Sequence, residues 1–91
     1  MTKQAIIDKI LEIICSKLNI EKKEITAESS FNSFGTNAFD VIEIIIDIEK
    51  DFKIIIPRNI ALNFYAITST SIVDYITSVA DYIDIVINIK N

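Results

Sequence analysis

Histidine is absent from the 91-residue chain, and its absence removes several kinds of chemistry. Histidine is the usual general base and the commonest metal ligand, and Ser-His and Cys-His catalytic pairs depend on it. The single cysteine, Cys15, excludes an intramolecular disulfide and a multi-cysteine metal site. We therefore predict that the protein is not an enzyme and holds no metal, and that Cys15 is a small semi-buried apolar side chain.

Turn-forming residues and long apolar runs are also scarce. The chain has one glycine and one proline, too few for the many hairpins of a sandwich or barrel. No apolar run approaches the roughly 20 residues that span a bilayer, and the first residues lead into a charged amphipathic segment, unlike a signal peptide. These features predict a single cytoplasmic domain over residues 1–91, monomeric and without membrane insertion.

Basic residues are fewer than acidic ones: the chain has 9 basic and 13 acidic residues, for a formal net charge of -4. A protein that binds nucleic acid through bulk positive charge has the opposite balance, so we expect no nucleic-acid partner. An acidic domain suits a partner with a basic docking patch.

Apolar periodicity predicts an all-α fold with three longer helices. The first runs from residue 3 to about residue 18, and Lys9 and Lys17 fall outside its apolar stripe of Ile6, Ile7, Ile10, Leu11, Ile14 and Leu18. The second runs from near Asn37 to near Phe52. Residues 19–35 lose the period but keep spaced apolar anchors, which favours a long ordered loop. A short helical turn is expected within residues 58–67. The last helix follows the cap-forming residues 68–71, with a predicted apolar face of Ile72, Val73, Ile76, Val79, Ala80 and Ile83.

Two segments keep alternatives open at this stage. The triplet of residues 54–56, just before Pro57, consists of β-branched isoleucines and would also fit a short buried strand. Residues 84–89 alternate polar and apolar side chains, which fits either an extension of the last helix or a short extended tail.

The second helix carries two stripes side by side. Asn37 is a good N-cap, and Asp40 stands at the N3 position of a capping box. An advance of about 100° per residue places one apolar and one acidic group of side chains on neighbouring arcs. The apolar stripe is Val41, Ile45, Ile48 and Phe52, and the acidic stripe is Asp40, Glu43, Asp47 and Asp51.

The order of these elements and several short motifs resemble the acyl carrier proteins. The segment from Gly35 through Asp40 and beyond is similar to the family pattern G-x-D-S-L-D-x-V-E-L-V, and the stretch ending at Pro57 fits E-x-x-F-x-x-x-I-P. The resemblance implies a small four-helix bundle of three longer helices and one short helix, with a long loop between helices 1 and 2. The residues that carry the resemblance are Ser30, Phe31, 34–44, 48–52, 54–57 and 71–76.

The departure from the family falls at the attachment position for 4′-phosphopantetheine. Acyl carrier proteins have a serine there, whereas this chain has Ala38, with Asn37 for the usual aspartate and Phe39 for the usual leucine. Alanine has no oxygen to phosphorylate, so the group cannot be attached at Ala38. Ser30 and Ser33 are nearby, but neither lies in the first turn of the second helix.

Two explanations of the alanine stay open. Either it replaces a natural serine at position 38, which the retained motif around it favours, or a natural alanine marks a carrier-like domain that never carries. In the first case, the resemblance implies a protein that delivers acyl thioesters to fatty-acid or polyketide enzymes. The alternatives are a non-carrying interaction module and a peptidyl or aminoacyl carrier of a nonribosomal pathway.

The resemblance also implies partners and a docking surface. The expected partners are a phosphopantetheinyl transferase and acyl-processing enzymes with basic docking patches, together with the acyl chains themselves. The abundance of isoleucine, 23 residues, fits either a core that opens for an acyl chain or a compositional bias. The predicted docking residues are Phe39, Asp40, Glu43, Ile44, Asp47 and Ile56.

Overall fold

The predicted all-α architecture is confirmed over the part of the chain that the structure describes. The computed structural model describes residues 1–58 and 68–90, and every regular element in these ranges is helical. The short helix predicted within 58–67 lies outside the described residues, apart from Arg58. The three longer helices are α1 (Lys3–Leu18), α2 (Ala38–Phe52) and α3 (Ile72–Lys90).

Helix α1 has the predicted bounds, and the residues of its predicted stripe are buried at Ile6, Ile10 and Ile14 and partly buried at Ile7, Leu11 and Leu18. It begins at its N-cap Thr2, whose hydroxyl accepts a hydrogen bond from the Ala5 N–H, and it contacts both α2 and α3. Cys15 is 8% exposed, and burial raises the pKa of its thiol, so it behaves as the small apolar side chain that was predicted. The stripe places Ile6, Ile10 and Ile14 in the core.

The connection between α1 and α2 is an ordered loop, as its spaced anchors predict. It holds two short 3₁₀ helices, Lys22–Glu24 and Asn32–Phe34. Phe31 is fully buried, and its ring meets that of Tyr75 edge to face at 5.2 Å between centroids. Two main-chain hydrogen bonds then join the loop to the region where α3 begins: Ile72 N–H to the Ser29 carbonyl at 2.9 Å, and Asn32 N–H to the Thr68 carbonyl at 2.7 Å.

The strand alternative for the isoleucine triplet is wrong, since residues 54–57 are described and carry no regular secondary structure. Glu49 organises this segment instead. Its carbonyl accepts a hydrogen bond from Ile54 N–H at 3.2 Å, and its carboxylate accepts from Ile56 N–H at 2.8 Å and from Arg58 at 3.0 Å. Only Ile56 of the triplet is fully buried, at 1% exposure.

Helix α3 continues through the alternating tail, so the helical alternative for residues 84–89 is the one that forms. The prediction of its apolar face is wrong for one residue, Val73, which is 43% exposed. A helix turns about 100° per residue, and the stripe that begins at Ile72 leaves its neighbour outside the contact. Tyr75 takes part in the core instead, at 4% exposure. The other predicted face residues are buried: Ile72, Ile76, Val79, Ala80 and Ile83.

Candidate functional site

The loop turns sharply at Gly35 just before α2 begins. Gly35 has φ +72°, a left-handed conformation that side chains other than glycine rarely adopt. No atom lies within 4 Å of the position that a Cβ would take, so the dihedral angle and not a lack of space favours glycine. Thr36 after the turn is buried, and the chain then reaches the surface of the bundle at residues 37–39.

Two residues then fix the first turn of α2 through a reciprocal pair of hydrogen bonds. The Asn37 side chain accepts from the Asp40 N–H at 3.0 Å, and the Asp40 carboxylate accepts from the Asn37 N–H at 3.2 Å. This is the predicted capping box, and it is confirmed. The negative Asp40 also stands at the end of the helix where the backbone dipole favours negative charge.

Ala38 is the first residue of α2 and is exposed to solvent, which is what a modifying enzyme needs at an attachment position. Phe39 follows with 75% of its surface exposed, although aromatic side chains are usually buried. The structure therefore brings Asn37, Ala38 and Phe39 together at one exposed helix end, next to the capping carboxylate of Asp40.

The acidic stripe of α2 faces α1, where lysines neutralise part of it. The Nζ atom of Lys17 lies 2.9 Å from the Glu43 carboxylate and 3.6 Å from the Asp47 carboxylate. The Nζ atom of Lys9 lies 2.9 Å from the Asp51 carboxylate. The hydrogen bond with Glu43 raises the pKa of Lys17. The sequence placed Lys9 and Lys17 off the apolar stripe of α1, but periodicity within one helix could not show which helix they would face.

Two of the predicted docking residues are buried, so the prediction that they belong to the docking surface is wrong. Ile44 has no exposed surface and Ile56 has 1%, so both belong to the core. Ile44 stands on the border between the two stripes, and the contact of α2 with the bundle extends over it. Ile56 is held inward by the hydrogen bond from its N–H to Glu49. Glu43 keeps 59% and Asp47 46% of their side-chain surface exposed, so both remain accessible to a partner.

An exposed helix start behind a left-handed glycine, on an isoleucine-rich helical bundle, fits a carrier-type domain. Comparison with known proteins agrees, because the family model described as "Phosphopantetheine attachment site" matches residues 8–86. The chain belongs to this family, whose members bear 4′-phosphopantetheine and are carriers, not enzymes.

Curated relatives that match the chain include acyl carrier proteins. That of Clostridium perfringens is 38% identical over 71 residues, which cover 77% of this chain and 91% of the relative. That of Porphyromonas gingivalis is 33% identical over 69 residues, covering 75% and 86%. That of Azobacteroides pseudotrichonymphae is 40% identical over 47 residues, covering 50% and 55%. No solved structure matches the chain.

At position 38, where the resemblance predicts attachment, the residues present do not fit the family's prosthetic group. The side chain of Ala38 is a methyl group, which offers no oxygen for a phosphodiester. The nearest hydroxyls along the chain are already engaged or enclosed. Ser33 donates a hydrogen bond to the Ser30 carbonyl and accepts one from the Ser30 N–H, and Thr36 is only 5% exposed. None of them stands at the exposed first position of α2.

Within residues 1–58 and 68–90, no group of three or more acidic, cysteine or histidine side chains could hold a metal ion. None of the helices in those ranges combines the length and the apolar character needed to cross a bilayer.

Proposed function

We propose that the chain is an acyl carrier domain for fatty-acid- or polyketide-type enzymes, in which a serine at position 38 completes the carrier. The observation that supports this proposal is the exposed first position of α2, fixed by Gly35 and by the capping box of Asn37 and Asp40. A tethered acyl group reaches each enzyme at a high effective concentration. With Ala38 the domain presents its docking surface without a tether.

The proposed docking surface consists of Phe39, Asp40, Glu43 and Asp47, on and beside the start of α2. Phe39 supplies an exposed apolar contact, and the carboxylates steer the domain toward a basic rim. Lys17 competes with that rim because it already holds Glu43 and Asp47. Exposed ion pairs of this kind exchange easily, so a basic partner can replace Lys17.

The test restores the hydroxyl. The Ala38→Ser variant is incubated with coenzyme A and a broad-specificity phosphopantetheinyl transferase, and the intact protein is weighed. We expect one added phosphopantetheine on Ala38→Ser and none on the unmodified chain, which is the matched control. If the folded Ala38→Ser variant gains no mass, the carrier proposal is wrong.

The docking surface is tested in the same background by reversing single charges. Glu43→Lys or Asp47→Lys should raise the KM of the transferase for the carrier and make it less sensitive to salt. Glu28→Lys is the matched control, since it makes the same change of charge in the α1–α2 loop. Equal effects of all three variants would show that net charge, and not this surface, governs recognition.

A second candidate function follows from Ala38 itself: a module that occupies carrier-binding sites without carrying. It is supported by the docking surface that the chain keeps while it lacks the attachment oxygen. In this case the unmodified chain should inhibit modification of Ala38→Ser in competition, with an inhibition constant close to the KM of the variant. An absence of inhibition would contradict it.

A further inference from the structure

A second exposed surface lies at the opposite end of α2 from the candidate site. Ile55 is 84% exposed, although Ile56 beside it is buried, and Ile46 is 36% exposed. Between them is an open groove of about 630 Å³. Its lining residues are Ile46, Glu49, Lys50, Lys53, Ile54 and Ile55. We call these six residues the basic–apolar surface.

The position of Ile55 is fixed by its neighbours and not by its own side chain. The hydrogen bonds from Ile54 and Ile56 to Glu49 hold the main chain on both sides of it. The Tyr82 hydroxyl of α3 donates to the Ile55 carbonyl at 3.5 Å. An exposed apolar side chain on a fixed backbone loses little entropy when a partner covers it, which is the property of an interface anchor.

The charge of this surface is opposite to that of the whole chain. Lys50 and Lys53 are exposed, and within the described residues neither forms an ion pair. The carboxylate of Glu49 is occupied by Arg58 at 3.0 Å, so it does not neutralise them. The chain as a whole has a net charge of -4, which makes this pair of lysines a local exception.

Lys53 also occupies a position where helices usually have glycine. It caps α2 with φ 57°, in the left-handed conformation that strains a residue with a Cβ. Glycine would adopt this angle freely. Lysine at this cap adds positive charge to the surface, although glycine would adopt the backbone angle without strain.

We propose that the basic–apolar surface binds an acidic amphipathic segment of a partner protein, with Ile55 in an apolar contact and the two lysines facing carboxylates. An exposed isoleucine that lines one groove with two lysines is complementary to apolar side chains that are flanked by acidic ones. An anionic membrane fits less well, because two lysines supply little attraction and the rest of the chain is repelled. This surface is separate from position 38 and does not depend on the carrier proposal.

The experiment uses the chain as it is, with Ala38, and a synthetic amphipathic peptide with leucines on one face and glutamates on its flanks. Binding to the ¹⁵N-labelled protein is followed by NMR. We expect shifts centred on Ile55 and weaker binding at higher salt. Lys53→Gly should weaken binding by about two- to fivefold, as loss of one exposed pair does, while the protein becomes no less stable. Because this variant relieves backbone strain, failure to fold cannot explain its result.

Matched controls come from the same chain. Ile55→Ser should abolish most of the binding, whereas Ile89→Ser, which alters an isoleucine with 79% exposure at the end of α3, should not. Reversing both lysines of the surface, Lys50→Glu with Lys53→Glu, should weaken peptide binding by about tenfold. The control is the double variant Lys22→Glu with Lys23→Glu, which makes the same change of charge in the α1–α2 loop.

Several results would overturn the proposal. One is equal binding of a peptide that has lysines in place of the glutamates. Another is binding that Ile55→Ser leaves unchanged, or the absence of any binding. A third is that vesicles of phosphatidylserine and phosphatidylcholine, or a second copy of the chain in sedimentation, occupy this surface while the acidic peptide does not. None of these results would bear on the carrier proposal, which is tested separately by the modification of Ala38→Ser.

Discussion

Replacing Tyr75 by phenylalanine should stabilise the protein, although it removes a polar group. Tyr75 is 4% exposed, and its hydroxyl has no hydrogen-bond partner among the described residues. A buried hydroxyl without a partner costs about 1–3 kcal/mol of desolvation, which Tyr75→Phe avoids. The ring and its edge-to-face contact with Phe31 are kept. We expect a gain of about 1 kcal/mol, which is about 4–8 °C in Tm for a domain of this size.

The assay is urea denaturation followed by circular dichroism, with Tm from a thermal scan. Tyr82→Phe is the matched control, since it removes a tyrosine hydroxyl that donates to the Ile55 carbonyl at 3.5 Å. It should leave stability unchanged or lower it slightly. If Tyr75→Phe is less stable than the unmodified chain, the hydroxyl contributes a favourable interaction and the reasoning is refuted.

The dependence on pH gives Tyr75→Phe a second, independent readout. Burial raises the pKa of the Tyr75 phenol above its ordinary value of 10.0, and the Arg58 charge opposes this only in part. The folded protein therefore holds the phenolic proton more tightly than the unfolded chain. The stability linked to this group is complete below about pH 10 and falls as pH rises further, by up to about 1.4 kcal/mol per pH unit. The advantage of Tyr75→Phe should grow above pH 10, and parallel curves would contradict the assignment.

Two further predictions concern charged side chains. Burial opposes ionisation of Glu49, but its hydrogen bonds outweigh burial and lower its pKa. Its stabilising effect is therefore present above the ordinary value near 4.5 and is lost as pH falls through the lowered pKa. Glu49→Gln should cost about 1–2 kcal/mol in urea denaturation at pH 7, and the cost should shrink as pH falls through the lowered pKa of Glu49; a cost that does not shrink in acid would contradict this origin. In the Ala38→Ser background, Lys17→Gln should lower the KM of the transferase by about two- to fivefold, because Glu43 is then released. Lys9→Gln, which releases only Asp51 near the other end of α2, should have a smaller effect, and equal KM values for both variants would contradict competition by Lys17.

The parts of the fold that depend on local pattern could be predicted from the sequence. The apolar repeat of α1 and the paired side chains of Asn37 and Asp40 gave the helix bounds and the capping box, since each involves residues within one or two turns. Phe31 could be expected to anchor the loop, because a large aromatic side chain in an otherwise polar stretch needs a buried place.

Features that depend on contacts between distant segments could not be predicted in the same way. The neutralisation of the acidic stripe depends on the rotation of α1 relative to α2, which brings Lys17 to Glu43. The burial of Ile44 and the exposure of Ile55 depend on how far the surrounding elements cover α2 and the segment that follows it. A helical wheel gives the order of residues around the axis, but it does not give the width of the contact.

The hydrogen bonds that join the α1–α2 loop to the beginning of α3 have a consequence for the folding reaction. Ile72 N–H to Ser29 and Asn32 N–H to Thr68 connect segments that lie on opposite sides of α2 in the sequence. These contacts close a large loop, whose entropic cost must be met before they form. The first turn of α3 is therefore expected to acquire its native hydrogen bonds late, together with the loop. In native-state hydrogen exchange, the amides of Asn32 and Ile72 should open in a single cooperative event.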